Sequence, residues 1–105
     1  MAIKKGNAPK TIPAKLTIKG QGETNALNLT YRNLKSTEFK DFVESLQGKK
    51  DPFYPSVAVH IVAEWDTDYS LSIEGMQELE DERPGTLRAI IEGFHKSRQF
   101  ALEKN

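Results

Sequence analysis

Hydrophobic and polar positions along this chain fall into two rhythms. From Ala14 onward, Leu16 and Ile18 alternate with Lys15, Thr17 and Lys19. After Gly20-Gln21-Gly22-Glu23 the alternation resumes, with Leu27, Leu29 and Tyr31 against Asn28, Thr30 and Arg32. Period two on both sides of a glycine-rich turn predicts a β-hairpin with one apolar and one polar face. An isolated hairpin is barely stable, so its apolar face must lie on helices or on another copy's sheet. Residues 1–13 are polar and broken by Gly6, Pro9 and Pro13. They read as a flexible basic arm ahead of a single domain at 14–105.

The second rhythm is helical. Phe39, Phe42, Val43 and Leu46 fall at i, i+3, i+4 and i+7, behind Ser36 as N-cap and ahead of Gly48 as terminator. Residues 56–65 fit both periods. Val57, Val59, Ile61, Ala63 and Trp65 alternate, while Val57, Ala58, Ile61, Val62 and Trp65 share a helical face. Pro55, placed as an N1 proline, and the lack of opposing polar residues favour helix over the β-branched content. Beyond a loop at 66–70, Ser72 caps a short helix with Leu71 and Met76 as a hydrophobic staple. Gly75 inside that helix costs about 1 kcal/mol relative to Ala, which predicts close packing at that point. Pro84-Gly85 breaks the chain, and a long amphipathic helix follows over 86–103, with Leu87, Ile90, Ile91 and Phe94 on its stripe and Phe100 off it. The expected class is α+β: an N-terminal hairpin, then about four α-helices, the last one long.

Composition narrows the function. Fifteen basic residues balance fifteen acidic ones, which argues against nucleic acid, because phosphate binding leaves a basic excess. The charges are nonetheless segregated. Lys4, Lys5, Lys10, Lys15 and Lys19 lie at the start, while carboxylates dominate from Glu64 to Glu82. The absence of cysteine suits a reducing cytoplasm, the first residues lack the apolar core of a signal peptide, and no run approaches a membrane span. With 37% hydrophobic residues the core is thin, and association would complete it.

Candidate chemistry is sparse. Asp66-Thr67-Asp68 lacks the further ligands a metal needs and reads as an acidic turn. His60 and His95 have no ligand spacing. Glu78, Glu80, Asp81 and Glu82 read as a solvated helix end, since adjacent carboxylates on a helix point to different faces. Gly20-x-Gly22 is a hairpin turn, and no nucleophile elbow or cysteine nucleophile is present. No catalytic residue, metal or cofactor is expected, so the function should be binding. Trp65, Tyr69, Phe94 and Phe100 are the candidate partner-contacting residues.

The order of these elements resembles the tail assembly chaperones of long-tailed bacteriophages, in particular the small type with a hairpin followed by helices. The resemblance is carried by LNLTYRNLKSTEFKDFVESLQG (27–48), by Val62-Ala63-Glu64-Trp65-Asp66, by the capped short helix running to Arg83-Pro84-Gly85, and by the long helix finishing Leu102-Glu103-Lys104-Asn105. It covers about residues 14–105 and gives the lysine-rich arm no role. The resemblance implies a non-enzymatic, self-associating helper in the host cytoplasm, absent from the mature virion. Such a helper coats the tape measure protein, keeps it soluble and helps recruit tail tube subunits. It also implies a longer product made by ribosomal frameshifting, for which Glu103-Lys104-Asn105 is compatible with slippery codons. The rival readings are a structural tail component kept in the virion and a small nucleic-acid-binding regulator acting through Lys4 to Lys19.

Overall fold

The alternation at the start of the chain forms a long, regular hairpin. In the computed structural model, which describes residues 3–102, β1 (Thr11–Gly20) pairs antiparallel with β2 (Glu23–Arg32). The register is unbroken from Thr11↔Arg32 to Gly20↔Glu23. Gln21 (φ 54°) and Gly22 (φ 80°) make the turn. Positive φ at both central residues is what the right-handed twist of a two-residue hairpin demands. Thr11 to Pro13, assigned by the sequence pattern to the arm, thus belong to the sheet. Pro13 is tolerated because β1 is an edge strand.

Four helices follow: α1 (Ser36–Ser45), α2 (Phe53–Ile61), α3 (Ile73–Glu82) and α4 (Thr86–Arg98). Between α2 and α3 lies a third strand, β3 (Val62–Trp65), which pairs antiparallel with β2 and gives the sheet order β1-β2-β3. The expected single helix over 56–65 is therefore corrected. Its first part is helical and its last four residues are strand, with no loop between them. The reason lies thirty residues upstream in Arg32. Its Nη1 donates to the carbonyls of Val59 (3.2 Å), His60 (3.1 Å) and Val62 (2.9 Å). A cation on the terminal carbonyls of a helix satisfies orphan acceptors and complements the dipole. The chain is then free to turn onto the open edge of β2.

Other expectations shift by a few residues. The N-cap of α1 is Lys35, not Ser36, and the Lys35 N–H donates to Glu38 Oε1 at 3.1 Å. Gly48 (φ 79°) closes that helix two residues past its C-cap, Leu46. Pro52 is the N-cap of α2, so Pro55 sits in the first turn, where a missing N–H still costs nothing. Ser72 caps α3 as expected, accepting from Gly75 N–H at 3.0 Å. Gly75 is required, since a Cβ there would collide with the Ser70 carbonyl. α4 stops at Arg98 because Gln99 is extended. It has 13 residues rather than the expected 18. Residues 99–102 of the expected helix are not helical, and the Glu103–Asn105 segment tied to frameshifting lies outside the described residues.

The inward face of the sheet meets the helices in one core. Leu27, Leu29, Tyr31, Ile61, Val62, Met76, Leu87, Ile90 and Phe94 are all buried in it, and Ile12, Ala14, Leu16 and Ile18 of β1 pack at its margin. Tyr31 is central. Its hydroxyl donates to the Ile90 carbonyl at 2.7 Å, and its ring meets Phe94 edge-on at 5.6 Å. Burial pushes its pKa well above the ordinary phenol value. α4 approaches this closely because residue 93 is glycine: a Cβ there would lie 2.6 Å from the Tyr31 hydroxyl and 2.9 Å from Leu16 Cδ2. α1 buries no residue completely and lies on the outside of the core. It attaches through Phe39 against Phe94 (5.3 Å) and through Phe42 stacked on His60 (3.7 Å, 3° between planes).

Two outcomes follow. Gly93→Ala should destabilise by about 1–3 kcal/mol through overpacking, despite alanine's better helix propensity. Tyr31→Phe should cost about 1 kcal/mol. In a urea-denaturation cycle the pair should cost less than the sum, because removing the hydroxyl makes room for the new methyl. The second outcome concerns His60. Burial, aided by the Arg32 charge and opposed by Glu38, holds its pKa below the ordinary 6.5. The fold favours the neutral ring, so its contribution is full above pH 6.5 and lost as pH falls from there through the folded pKa. Titration by NMR should place His60 below 6.5, and stability should fall across that interval less steeply in His60→Gln.

Candidate functional site

The loop leaving β3 lines an open cleft on the surface of the molecule. Asp66 continues the pairing of β3 with β2. Its N–H donates to the Asn28 carbonyl at 3.1 Å, and its carboxylate accepts from Asn28 N–H (3.1 Å) and Asn28 Nδ2 (2.8 Å). The Asp66-Thr67-Asp68 turn is thus held by strand-like bonds. Thr67 Oγ1 accepts from Tyr69 N–H at 3.2 Å, and Trp65 Nε1 donates to the Tyr69 carbonyl at 3.1 Å. Trp65 and Tyr69, two of the four candidate residues, are therefore brought together, each half-buried.

Between this loop, α3 and the turn end of the hairpin lies an open cleft of about 810 Å³. Ile18, Leu27 and Leu79 give it an apolar floor, and Asp66, Asp68, Glu78 and Glu82 an acidic surround with Arg83 as its cation. Arg83 is committed locally. Its Nε donates to Glu23 Oε1 at 2.7 Å, and its Nη1 lies 3.4 Å from the Tyr69 hydroxyl, which in turn donates to Glu82. Gln21 Nε2 reaches the Glu82 carbonyl at 3.1 Å, so the hairpin tip is fastened to the α3–α4 corner. These bonds hold the Glu23 carboxyl below its ordinary pKa, through Arg83, and the Tyr69 phenol above its own, through Glu82.

The acidic run at the end of α3 is only partly a solvated helix end. Glu80 turns back to accept from Gly85 N–H (2.9 Å) and Leu87 N–H (3.1 Å), capping α4, while Glu82 accepts from Tyr69. Asp81 accepts from Gln77 at 3.0 Å, and Glu78 faces the cleft. Among the described residues no group of three or more His, Cys, Asp or Glu side chains is placed to hold a metal ion, and no helix is long and apolar enough to cross a membrane.

The other two candidates separate. Phe94 is 0% exposed, locked under Phe39 and Tyr31 with the Arg98 guanidinium 5.3 Å from its ring centroid, and offers no surface. Phe100 lies beyond α4 and is fully exposed. The first turn of α2 adds a surface absent from the candidate set. Phe53 and Tyr54 are 48% and 51% exposed and meet edge-on at 5.6 Å.

A family model for phage tail assembly chaperones matches residues 1–105, the full length of the sequence. The chain belongs to the phage tail assembly chaperone family. No curated protein and no solved structure matches it. The partners of a tail assembly chaperone are phage tail proteins. The chaperone's Phe53 and Tyr54 stand out in the sequence as large aromatic residues beside the 56–65 segment, but their exposure depends on α2 starting at Phe53, directly after Pro52. The capping role of Glu80 had no such signal, because it depends on the angle between α3 and α4.

The Tyr69–Glu82 bond is testable by titration. The bond favours the neutral phenol, so its contribution is present below the ordinary pKa of 10 and is lost as pH rises through the elevated folded value. Glu82→Gln should bring one tyrosine down toward 10 in the tyrosinate absorbance curve. Tyr69→Phe should remove that same transition.

Proposed function

We propose that this chaperone coats the tape measure protein, keeps it soluble and helps recruit tail tube subunits. It acts in the host cytoplasm, by binding rather than catalysis, and does not remain in the mature virion. The observation that supports this reading is the aromatic pair at the start of α2. Two large rings, each about half exposed, are set side by side on a helix otherwise anchored in the core. Aromatic anchors of this kind dominate the energetics of protein interfaces. One such pair covers little area, so a single contact is weak and reversible. Repetition along an extended apolar partner supplies avidity without a tight individual site.

Phe100 is proposed as a second external contact. Trp65 and Tyr69 act at the acidic cleft, and Phe94 acts only from beneath, by fixing α1 and α4. Self-association of the chaperone belongs to the same reading, since many copies must line up on one partner.

Co-expression tests it. The cognate tape measure protein should move into the soluble fraction with the chaperone present. The Phe53→Ala/Tyr54→Ala variant should lose most of that effect while keeping its helical signal and melting temperature. Equal solubility with and without the chaperone would sink the proposal. Mass spectrometry of purified virions should find none of the chain, whereas stoichiometric retention would point to a structural tail component.

A further inference from the structure

The arm before β1 and the acidic cleft are complementary in both charge and shape of sequence. Residues 3–5 present one large apolar side chain, Ile3, fully exposed, followed by Lys4 and Lys5, also exposed. The cleft presents an apolar floor of Ile18, Leu27 and Leu79 beside the exposed carboxylates of Asp66, Asp68, Glu78 and Glu82. From these observations we infer that the cleft takes the Ile3-Lys4-Lys5 segment of a second copy, with Ile3 on the floor and the two ammonium groups among the carboxylates. The inference deepens the self-association in the proposed function, and rests on that part of it alone.

Geometry decides that the segment comes from another copy. The root of the arm is fixed at the far end of the hairpin: Asn33 Nδ2 donates to the Pro9 carbonyl at 2.7 Å, and Asn33 N–H donates to the Lys10 carbonyl at 3.0 Å. From Lys10 to Ile18 the strand runs away from that root by roughly 26 Å at about 3.3 Å per residue. The stretch from Pro9 back to Ile3 spans at most roughly 21 Å when fully extended. It would also have to reverse direction, and it is already shortened by the turn in which Asn7 N–H bonds the Lys4 carbonyl at 3.3 Å. A molecule's own arm therefore falls short of its own cleft, in keeping with the full exposure of Ile3. Because arm and cleft are different surfaces, the contact is head-to-tail, each copy giving one arm and receiving one. Ion pairing at an exposed rim makes it sensitive to salt.

Charge reversal in two halves tests the inference on the full chain without any tail protein. One variant carries Lys4→Glu/Lys5→Glu and keeps its cleft; the other carries Asp68→Lys/Glu78→Lys and keeps its arm. All four positions are exposed, and circular dichroism should show both variants folded. In sedimentation velocity the wild type should associate with rising concentration, less so at high salt, and each variant alone should stay monomeric. Mixed, the two should associate again with rising concentration, because each arm then meets a cleft of opposite charge on the other variant. The inference is overturned if the arm-reversed variant associates like wild type, or if the mixture stays as monomeric as each variant alone. In those cases self-association itself would stand. A wild type that is monomeric at every concentration would overturn the self-association reading as well. Neither result bears on tape measure binding.

Discussion

A phenol hydroxyl taken out of water destabilises a fold unless it meets an acceptor, and Tyr31 meets one in the backbone of α4. Its bond to the Ile90 carbonyl requires the helix to lie almost on the sheet, and Gly93 permits this by having no side chain to interpose. The contact sets the depth and rotation of α4 against β2. Phe94 then falls beneath Tyr31, Phe39 of α1 rests on Phe94, and Arg98 reaches Asn33 Oδ1 (3.0 Å) and the Leu34 carbonyl to tie the helix end to the β2–α1 connection. A small core thus controls the placement of elements that hardly touch one another.

Long-range polar bonds do the rest. Arg32 ends α2 and releases the chain into β3, Asp66 extends that strand's hold on Asn28, and Arg83 with Gln21 fastens the hairpin tip to the α3–α4 corner. The proposed contact surfaces are by-products of this framing. The cleft is the gap left where β3 ends and its exit loop swings toward α3. The Phe53–Tyr54 pair is held outward by a helix whose later residues, Val57, Ala58 and Ile61, are committed to the core.

Much of this was legible from residue order. The hairpin followed from alternation at Leu16, Ile18, Leu27, Leu29 and Tyr31, α1 from its four-residue stripe, and the cap of α3 from Ser72. Gly75 announced a close approach that the Ser70 carbonyl supplies. At 56–65 both periodicities were present because both structures are: the helical face of Val57, Ala58 and Ile61 is used, and so is the alternation near Trp65. Local sequence could not place the junction, which Arg32 and the free edge of β2 determine. Phe100 lay off the stripe of the last helix because the helix had already ended. Phe94, by contrast, looked available on an amphipathic stripe, and only the arrival of Tyr31 and Phe39 from elsewhere in the chain buries it.

Sequence by itself determined the local choices: which segments are period two or period 3.6, where a glycine or a capping serine must stand, and that charge is divided between a basic start and an acidic middle. These depend on neighbours within a turn or two, whose geometry the chain fixes as it is read. Tertiary structure alone decided which acidic residues are caps and which line a cleft, which aromatics are core and which are surface, and how far the basic arm lies from the acidic cleft. Such outcomes depend on contacts between positions about sixty residues apart, as at Tyr31–Ile90 and Glu23–Arg83. No local pattern encodes a distance that exists only once the sheet and helices are packed.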